Sequence, residues 1–600
     1  MSTFRDLLRY LRIYRRYIGR RLYVVFALAI ATAFTQGFGI SLLLPLLRSS
    51  QADGGGAEDM GTAEQLLQTL LETLGIAGSM GGILVFIAVV FVGKGLLNFA
   101  KQGYTGYLQA QLLRELKGGL FDVYSEMEYR YYLRENTGHF INVINQQVNR
   151  FFGSFKSFSQ FVTDAVTTFS YFAFALAITW RFTLLALAVG LGMLFLFQYL
   201  NAYVRKLSRR YSKEASTLNK FLVQALQSFK YIASTGQVDH IRTEVTDSVG
   251  RLTGYQFRQN VASALTSSLK EPVSVLLITG IIGLQVVVFG GAVAPIFVAL
   301  LFFHRGMQSM MSVQSSWQST MNSIGSVEMV VDDLEQARAN KETTGSADLS
   351  PLSEGVYFDG VYYAYNSEDD DVLQDINVAV PANQTVALVG ESGAGKSTLV
   401  DLMTLMLRPR AGEIRIDGTP HDEVDVASWR KQIGYVSQET VVFDDTIANN
   451  ISLWQGHFKG DAAHRERVID AAKRAHAHHF IQDLPDGYQT VVGDRGVRLS
   501  GGQRQRLFVA RELFKQPNLL ILDEATSDLD TASEQHIQNS IDALQGEVTV
   551  VIIAHRLSTV KNADRVYVLD EGRVVEAGPY RELRMRENGQ FREMVEMQSL

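Results

Sequence analysis

The chain has 600 residues, of which 47% are apolar, and a formal net charge of −6. This length excludes a single small binding module, because it corresponds to several domains of usual size. Residues 1–325 hold 29 Lys and Arg against 17 Asp and Glu, a balance of +12, whereas the rest of the chain carries −18. A basic, apolar front half indicates membrane spans with cationic cytosolic loops, and an acidic back half disfavours nucleic-acid binding. Since the chain has no Cys, disulfides and thiol catalysis are excluded.

The N-terminus combines a basic start with a long apolar run. The first 21 residues contain seven Arg and one acid, Asp6, and the uncharged segment 22–47 follows. Because this segment exceeds the roughly 7–15 apolar residues of a cleaved signal peptide, it predicts a membrane-spanning helix with the N-terminus in the cytosol. The acidic, Gly-rich residues 48–80 predict an outside loop. Within it the amphipathic segment 63–76 fits either an interfacial helix or a helix packed on the end of the bundle.

Further uncharged stretches predict the remaining spans. They cover residues 81–93 with continuation through Lys94, 157–180, 182–204 and 272–303. A turn at Gly290, Gly291 and Pro295 divides the last stretch into two helices, which reach about residue 270 and about residue 311. We therefore predict six spans, with the Lys- and Arg-rich segments 109–150 and 205–260 in the cytosol.

Residues 335–354 lose apolar periodicity, are rich in turn-forming residues and predict a linker. They divide the chain into a transmembrane domain, residues 1–334, and a second domain, residues 355–600. In the second domain short β-rich runs alternate with helical segments, namely TVALVG, EIRID, QIGYVSQ, NLLILDEA and VTVVIIAHR. This alternation is typical of an α/β domain with a largely parallel sheet.

A phosphate-binding loop is indicated where the run TVALVG leads into a Gly-rich segment and then a helical pattern. Glycines let backbone N–H groups point at phosphate oxygens, and the helix N-terminus adds partial positive charge. Lys396 is expected to reach the β- and γ-phosphates of ATP, and Ser397 to bind Mg²⁺. The complete pattern disfavours a plain glycine turn, and the predicted nucleotide-binding residues are Gly390, Ser392, Gly393, Gly395, Lys396, Ser397 and Thr398. The predicted fold class is thus multi-domain: a six-span α-helical transmembrane bundle fused to a C-terminal α/β P-loop nucleotide-binding domain.

A second motif, LLILDE at 519–524, ends a buried-strand pattern in two carboxylates. Asp523 is expected to hold Mg²⁺ through water, and Glu524 to polarise the attacking water. Paired acids at a buried strand tip would be costly without an ion, so the motif favours ATP hydrolysis over binding alone.

These motifs, with LSGGQ at 499–503 between them, resemble the ATP-binding cassette superfamily over nearly all of residues 355–590. The resemblance implies that Tyr365 stacks on adenine, that Gln438 couples Mg²⁺ to the membrane domain and that His555 contacts the γ-phosphate. By itself His555 is more typical of an ordinary strand end, and its place in the set of motifs gives it this role. The signature segment would cap a nucleotide with Ser500, Gly501, Gly502 and Gln503.

Two features qualify this resemblance. In residues 527–530, which match the family's D-loop, Asp528 stands where Ala is common in the family. It is either a solvated loop acid or a change to the dimer interface. His476, His478 and His479 are close in sequence but lack a partner ligand set with metal-site spacing, so no metal site is predicted there.

In this superfamily the signature loop of one cassette closes on the phosphate loop of another, and this chain has one of each. Because all the nucleotide-site motifs are intact, two copies would form two equivalent sites, and we predict a homodimer of twelve spans. Six spans before a cassette resemble the exporter type of these transporters. Tyr129–Gly138 would then be the first coupling segment and Thr217–Gln224 the second, with plain cytosolic linkers as the alternative.

Basic residues inside predicted spans are informative because an intramembrane charge is costly and usually faces a cavity or a partner. Lys94 is expected about 18 Å into the second span, and Arg305 is about as deep in the sixth. Lys270 lies nearer the cytosolic boundary, where snorkelling is sufficient. A cationic cavity would favour an anionic cargo. The alternative is that Lys94 and Arg305 pair with acids such as Asp164 or Glu271.

The membrane half also resembles bacterial flippases for lipid-linked oligosaccharides. The likeness rests on short strings: FGISLLLPLL at 38–47, residues 63–76, Lys94, Lys270 and Arg305. In that family basic residues at such positions line the cavity and would attract a pyrophosphate. Arg305 departs from the family pattern because Phe303 and His304 precede it.

We therefore predict a homodimeric, Mg-ATP-driven exporter or flippase in the bacterial inner membrane, with the N-terminus and the nucleotide-binding domain in the cytosol. The predicted cargo is an amphiphilic anion, a lipid-linked glycan or a related lipid. The rival is a multidrug or hydrophobic-compound exporter, which predicts indifference to neutralisation of Lys94 and Arg305. The lack of a catalytic Cys disfavours a peptide exporter, and Glu524 with His555 disfavours an ATP-gated channel or regulator that does not pump.

Overall fold

The computed structural model describes residues 2–42, 69–76, 79–178, 180–283, 297–366, 369–523, 531–554, 556–557 and 559–598. The chain forms two compact units, the first of Met1–Met127 with Tyr131–Lys341 and the second of Glu128–Arg130 with Glu342–Leu600. The boundary after Lys341 falls inside the predicted linker, residues 335–354. The first residues of that segment continue a helix that ends at Ala339.

The first unit is helical in its described part, and one of its helices begins with Tyr129 and Arg130, which belong to the second unit. Ser79 caps one long helix by accepting a hydrogen bond from the Gly82 N–H, and Asn136 caps a short one through the N–H of His139. The helices are α1 (Ser2–Ile18), α2 (Arg21–Ser41), α3 (Met80–Ser125), α4 (Tyr129–Arg134), α5 (Thr137–Asn142), α6 (Val148–Ile178), α7 (Trp180–Gln227), α8 (Phe229–Ser234), α9 (Val238–Ser268), α10 (Lys270–Gly283), α11 (Phe297–Asn322) and α12 (Ile324–Ala339). A π-helical turn, Val143–Gln147, joins α5 to α6.

The predicted count of six spans is not confirmed by the described part of the chain. In that part, α3 alone is long and apolar enough by itself to cross a membrane. The segments Leu7–Ile18 and Arg21–Thr35 meet that standard only as a bent pair, at 118°. The predicted spans 157–180 and 182–204 fall on α6 and α7, whereas the turn predicted at Gly290–Pro295 lies outside the described residues.

The second unit contains two sheets. The larger has the strand order β10-β9-β3-β8-β7-β6 and is parallel except for its β10–β9 pair. The smaller, with order β2-β1-β4-β5, is antiparallel. The strands are β1 (Gly355–Tyr363), β2 (Leu373–Pro381), β3 (Thr385–Gly390), β4 (Ala411–Ile416), β5 (Thr419–Pro420), β6 (Ile433–Val436), β7 (Leu519–Asp523), β8 (Thr549–Ile553), β9 (Arg565–Asp570) and β10 (Arg573–Gly578).

The division into two sheets corrects the predicted position of one β-rich run. Strands β3, β7 and β8 are buried along their whole length, as expected for central strands of a parallel sheet covered on both faces. The run EIRID, which the sequence pattern places in that sheet, forms β4 of the antiparallel sheet instead. Its alternation of buried and exposed residues fits a strand with one solvated face.

The second unit has two apolar cores. One is formed by the parallel sheet and the helices that cover it. The other core lies between the sheets and includes Trp429, whose indole N–H donates to the Met403 carbonyl oxygen at 2.9 Å. The helices are α13 (Lys396–Met403), α14 (Val426–Lys431), α15 (Ile447–Ser452), α16 (Ala462–Arg474), α17 (His478–Gln482), α18 (Gly501–Phe514), α19 (Thr531–Asp542), α20 (Tyr580–Met585) and α21 (Gln590–Gln598).

Candidate functional site

The predicted phosphate loop connects the end of β3 to the start of α13. Gly390 approaches the backbone of β9 so closely that a Cβ there would lie 2.2 Å from the Leu569 carbonyl oxygen. Gly395 has a φ of +96°, and its Cβ would lie 2.5 Å from Leu373 Cδ2. Both positions favour glycine, because a positive φ is unfavourable for other residues. At Gly390 a side chain would also meet fixed backbone atoms, whereas at Gly395 it would displace the Leu373 side chain.

Lys396 lies inside the curl of this loop. Its side chain is 5% exposed, and the ammonium donates to the carbonyl oxygens of Gly390 at 2.9 Å and Glu391 at 2.8 Å. Ser397 beside it is exposed, whereas Thr398 is buried. The loop therefore concentrates a cation and a helix N-terminus where an anionic group can approach.

Tyr365, predicted to stack on adenine, lies next to the phosphate loop. Its hydroxyl is 3.1 Å from the Thr398 hydroxyl on α13. Its ring meets that of Tyr363 edge to face, with centroids 5.2 Å apart. The fold thus brings together two predicted residues that are more than thirty positions apart in the sequence.

Asp523 ends β7, where its neighbours are groups that the sequence motifs did not identify. The Tyr435 hydroxyl on β6 donates to Asp523 Oδ2 at 3.1 Å. Burial, and then the negative charges of Asp523 and Asp401, raise the pKa of Tyr435, so it stays a phenol and a donor. Burial and the charge of Asp523 raise the pKa of Asp401 on α13 to about 6.

The residues of this region fit Mg-ATP. A glycine-lined loop with a buried ammonium suits a triphosphate, and Ser397 with Asp523 offers the oxygen ligands that Mg²⁺ prefers. Asp401 and Tyr435 were missed because their side chains reach Asp523 only through the pairing of β6 with β7 and the packing of α13. The one available signal was their position: Asp401 follows the phosphate loop, and Tyr435 precedes Gln438 by three residues.

The signature segment forms the start of α18. Ser500 accepts from the Gln503 N–H at 3.2 Å, and the Gln503 side chain accepts from the Ser500 N–H at 2.9 Å, which is a capping box. The Gln503 side chain therefore stabilises the N-terminus of α18. Gly501 is exposed, and no atom would contact a Cβ built on it. This open helix N-terminus is a second place where a phosphate can bind.

The segment around Gln438 is connected to α18. Gln438 itself is exposed. The Thr440 hydroxyl donates to Gln505 Oε1 at 2.8 Å, and Arg511 donates to the carbonyl oxygens of Val441 and Asn450, both at 2.7 Å. Arg511 is only 3% exposed. No sequence motif points to this buried arginine, because its partners come from the loop after β6 and from α15.

Three of the predicted residues, Glu524, Asp528 and His555, lie outside the described residues. Of the three clustered histidines, His478 Nδ1 forms a hydrogen bond with the Tyr488 hydroxyl at 2.7 Å. The rings of His476 and His536 lie with their centroids 5.5 Å apart.

In the first unit, two of the three predicted cavity residues interact. Lys94 on α3 and Arg305 on α11 lie within range of mutual charge repulsion, and the Lys94 ammonium is 5.4 Å from the centre of the Phe91 ring. Neither cation makes a salt bridge with a carboxylate of the described residues. Lys270 is the first residue of α10.

The acids proposed as alternative partners have other surroundings. Asp164 on α6 accepts from Ser316 at 2.7 Å and from Gln160 at 2.7 Å, and its charge acts on Lys101. Glu271 is exposed. Pairing of Lys94 or Arg305 with these two acids is not what the structure shows.

Known proteins share this architecture and these motifs. Residues 22–311 match the model of the ABC transporter transmembrane region, and residues 373–527 match that of the ABC transporter. An ATP-dependent lipid A-core flippase of Chromobacterium violaceum is 31% identical over 86% of this chain and 89% of its own length. A protein of the same name from Haemophilus influenzae is 31% identical over 89% of this chain and 91% of its length.

Two further known proteins are similar to this chain. A Bacillus subtilis protein, provisionally named a multidrug export ATP-binding/permease protein, is 30% identical over 94% of this chain and 95% of its own. The structure of a bacterial Atm1-family ABC exporter with ATP bound superposes with a TM-score of 0.78 at 24% identity, over 98% of this chain and 99% of the other. The chain belongs to the ABC transporter family, as a half-transporter of the exporter type. It is a membrane protein that couples ATP hydrolysis to transport.

Proposed function

We propose that two copies of this chain form a homodimeric flippase of the bacterial inner membrane that moves an anionic, amphiphilic lipid. The negative charge of the proposed cargo is inferred from one observation: Lys94 and Arg305 lie close together and have no carboxylate partner among the described residues. Two such cations are costly within a bilayer unless a cavity or a ligand compensates them. The lipid part is supported by relatives named ATP-dependent lipid A-core flippases.

The roles proposed for Lys396, Ser397, Asp523 and Glu524 follow from their chemistry. Those of Tyr365, Gln438 and His555 follow from the resemblance to the ATP-binding cassette superfamily. Lys396 binds the phosphates, Ser397 and Asp523 hold Mg²⁺, and Tyr365 stacks on the base. Bound Mg²⁺ supplies charge neutralisation to the phosphate oxygens. Glu524, directly after Asp523 in the sequence, polarises the attacking water, and His555 contacts the terminal phosphate. Gln438 links the metal to the membrane domain.

The signature segment acts across the dimer. Ser500, Gly501 and Gly502 of one copy present the N-terminus of α18 to the nucleotide held by the other copy. Transmission to the membrane domain runs through the coupling segment Tyr129–Gly138.

The head group is the finer part of the proposal. A phosphate or pyrophosphate would interact with Lys94 and Arg305 together, and the resemblance to lipid-linked oligosaccharide flippases points to a glycan beyond it. A related lipid, such as the one in the relatives' name, satisfies the same charge requirement.

A second candidate is a multidrug exporter, which the name of the Bacillus subtilis relative favours. Neutral or cationic drugs would then be carried, and the two cations would have no part in binding. The two candidates differ in their response to neutralisation of Lys94 and Arg305.

The test is transport in liposomes that contain the purified protein. Movement of a fluorescent polyprenyl-pyrophosphate glycan, of lipid A-core and of a cationic drug is measured with and without ATP. We expect the lipids to move, and K94Q/R305Q to lower that transport at least ten-fold, because each lost charge pair with a phosphate contributes about 1–3 kcal/mol. K156Q, which removes one exposed cation from α6, serves as the control. Equal lipid transport by K94Q/R305Q, or movement of the drug alone, would contradict the proposal.

The catalytic assignment has its own test. We expect Glu524→Gln to abolish steady-state ATP turnover and to preserve ATP binding, because the amide cannot polarise water as the carboxylate does. Normal turnover by this variant, measured as phosphate release, would remove Glu524 from the mechanism.

A further inference from the structure

The N-terminal helix α1 turns sharply away from α2. The segments Leu7–Ile18 and Arg21–Thr35 make an angle of 118°, and Gly19 between them has a φ of +67°. If α2 crosses the bilayer, α1 runs along its surface, because a helix at such an angle cannot share the crossing direction. The position of α1 is thus that of an interfacial helix.

One side of α1 is fixed to the bundle by apolar contacts. Tyr10, Tyr14 and Ile18 follow each other at four-residue intervals and are buried. The Tyr14 ring lies 5.4 Å from that of Phe155 and 5.0 Å from that of Phe158, measured between centroids. The opposite side of α1 therefore lies outside this apolar contact.

Two arginines of that opposite side bind to the protein. Arg9 Nη1 is 3.4 Å from Glu328 Oε1, and Arg16 Nη1 is 2.9 Å from Glu335 Oε1, with both carboxylates on α12. Arg9 and Arg16 are seven residues apart and so lie on one line along the helix. They attach α1 to α12.

Other arginines of α1, of the turn after it and of the start of α2 remain exposed without a carboxylate partner among the described residues. We call them the arginine surface, which consists of Arg12, Arg15, Arg20 and Arg21. The sequence contains no acid between Asp6 and Asp53 that could neutralise it. The Arg15 guanidinium lies 5.9 Å from the centre of the Tyr23 ring, which is 50% exposed.

The arginine surface ends where exposed apolar residues begin. After the buried Leu22, Tyr23 and Val24 are exposed, and Ile30 and Phe34 continue the exposed apolar side of α2. The exposed side chains thus change along the chain from Arg to Tyr and then to apolar residues. This is the order in which side chains pass from the head-group level of a bilayer to its hydrocarbon level. The arginine surface therefore lies at the level of the lipid phosphates.

We propose that the arginine surface binds the phosphate groups of anionic phospholipids in the leaflet next to the N-terminus. Charge complementarity selects this partner, since a cluster of Lys or Arg beside a membrane segment attracts acidic lipids. The lipids bound there anchor α1, and through Arg9 and Arg16 they also hold α12, the helix that ends just before the second unit. The proposal requires only a membrane protein and does not depend on the transported cargo.

The test is lipid selectivity of the full-length protein reconstituted in phosphatidylcholine vesicles. The fraction of motionally restricted lipid is measured by electron paramagnetic resonance for spin-labelled phosphatidylglycerol and for spin-labelled phosphatidylcholine. We expect phosphatidylglycerol to be preferred, and the variant R12Q/R15Q/R20Q/R21Q to reduce that preference about two-fold or more. One arginine at an anionic surface contributes about five-fold, and lipids around the rest of the bundle dilute the effect. The preference should also decrease as salt shortens the Debye length.

Matched variants keep the result interpretable. K230Q/R258Q/K459Q/K473Q removes four exposed cations elsewhere and should retain the preference. K94Q/R305Q should also retain it while losing lipid transport, which separates this proposal from the proposed cargo. ATP turnover in phosphatidylcholine vesicles reports whether each variant is folded. An unchanged preference in the folded arginine-surface variant, or an equal loss in the four-cation control, would overturn the proposal.

Discussion

Gly395 shows how a single residue supports the nucleotide site. Its φ of +96° lets the chain leave the phosphate loop and enter α13 in one step. The same residue leaves room for Leu373 of β2, whose Cδ2 would lie 2.5 Å from an added Cβ. The loop that holds Lys396 therefore depends on the absence of one methyl group.

We expect Gly395→Ala to reduce ATP turnover at least ten-fold and to lower the free energy of unfolding by about 1–3 kcal/mol. The reason is that a left-handed conformation costs alanine roughly 1–2 kcal/mol and that the added methyl group also displaces Leu373 or the loop. Phosphate release and thermal unfolding in detergent measure the two effects.

Gly418→Ala is the control for this change. Gly418 has a φ of +77° in the turn between β4 and β5, and a Cβ added there would have no atom within 4 Å. It carries the same conformational cost without the collision. Equal loss of turnover in both variants would show that the contact with Leu373 has no special importance.

At the level of elements, a histidine–carboxylate pair joins α5 to α12. His139 Nε2 lies 2.7 Å from Asp333 Oδ1, and His139 Nδ1 lies 3.2 Å from Ser216 Oγ on α7. The Tyr124 hydroxyl on α3 donates to the other oxygen of Asp333. Four helices, α3, α5, α7 and α12, are therefore tied together around one nearly buried carboxylate.

The charge of this histidine depends on pH. Burial alone would lower the pKa of His139, but the hydrogen bond and charge of Asp333, with the charge of Glu135, outweigh it and raise the pKa above 6.5. A raised pKa means that the folded protein binds the proton more tightly than the unfolded chain. The stabilisation is complete below pH 6.5 and is lost as the pH rises through the folded-state pKa.

We expect His139→Gln to lower the free energy of unfolding by about 2 kcal/mol at pH values below 6.5, because a hydrogen bond to a charged group contributes about 1.5–3 kcal/mol. The difference from the unmodified protein should shrink as the pH rises. Apparent unfolding temperatures in detergent across a pH series measure it. His240→Gln, at an exposed position of α9, should leave the pH dependence unchanged. A constant difference between the His139 variant and the unmodified protein at all pH values would exclude the titration.

On the scale of the whole molecule, the described part of each chain presents a helix N-terminus suited to phosphate at two separate places. One begins α13 at the phosphate loop, and the other begins α18 at the signature segment. If the two meet only across a dimer, a defect in one can be compensated by a partner chain with a defect in the other. Two substitutions make this testable: Lys396→Ala removes the cation that we propose binds phosphate, and Gly501→Glu places a negative charge in open space at the start of α18.

We expect K396A and G501E chains, each inactive as homodimers, to regain up to about half of normal ATP turnover when isolated together as heterodimers, because one of two shared sites is then intact. The control is a dimer of the double variant K396A/G501E with an unmodified chain. It has the same two substitutions, but neither shared site is intact, so it should be inactive. The reverse result would mean that each site is built within one chain.

How far the sequence predicts the site depends on how its residues are arranged along the chain. The phosphate loop, the signature segment and LLILDE are contiguous strings whose chemistry depends on local backbone geometry, so each is recognisable directly. Asp401, Tyr435 and Arg511 interact with groups from other strands, helices and loops. No spacing of residues along the chain predicts such contacts. The prediction of EIRID as part of the parallel sheet was wrong for the same reason, since sheet membership depends on pairing with β1.

The sequence alone therefore determined the family and the two-part architecture, and it predicted the residues of the nucleotide motifs, because charge, apolar length and glycine spacing are local properties. Tertiary structure decided what those residues touch. It placed Lys94 and Arg305 near each other rather than beside Asp164, it made Arg9 and Arg16 attachments to α12 and left the arginine surface exposed, and it enclosed His139 with Asp333. Such outcomes arise from packing between helices distant in the chain, where small differences in position decide whether two charges pair, repel or remain in contact with solvent or lipid.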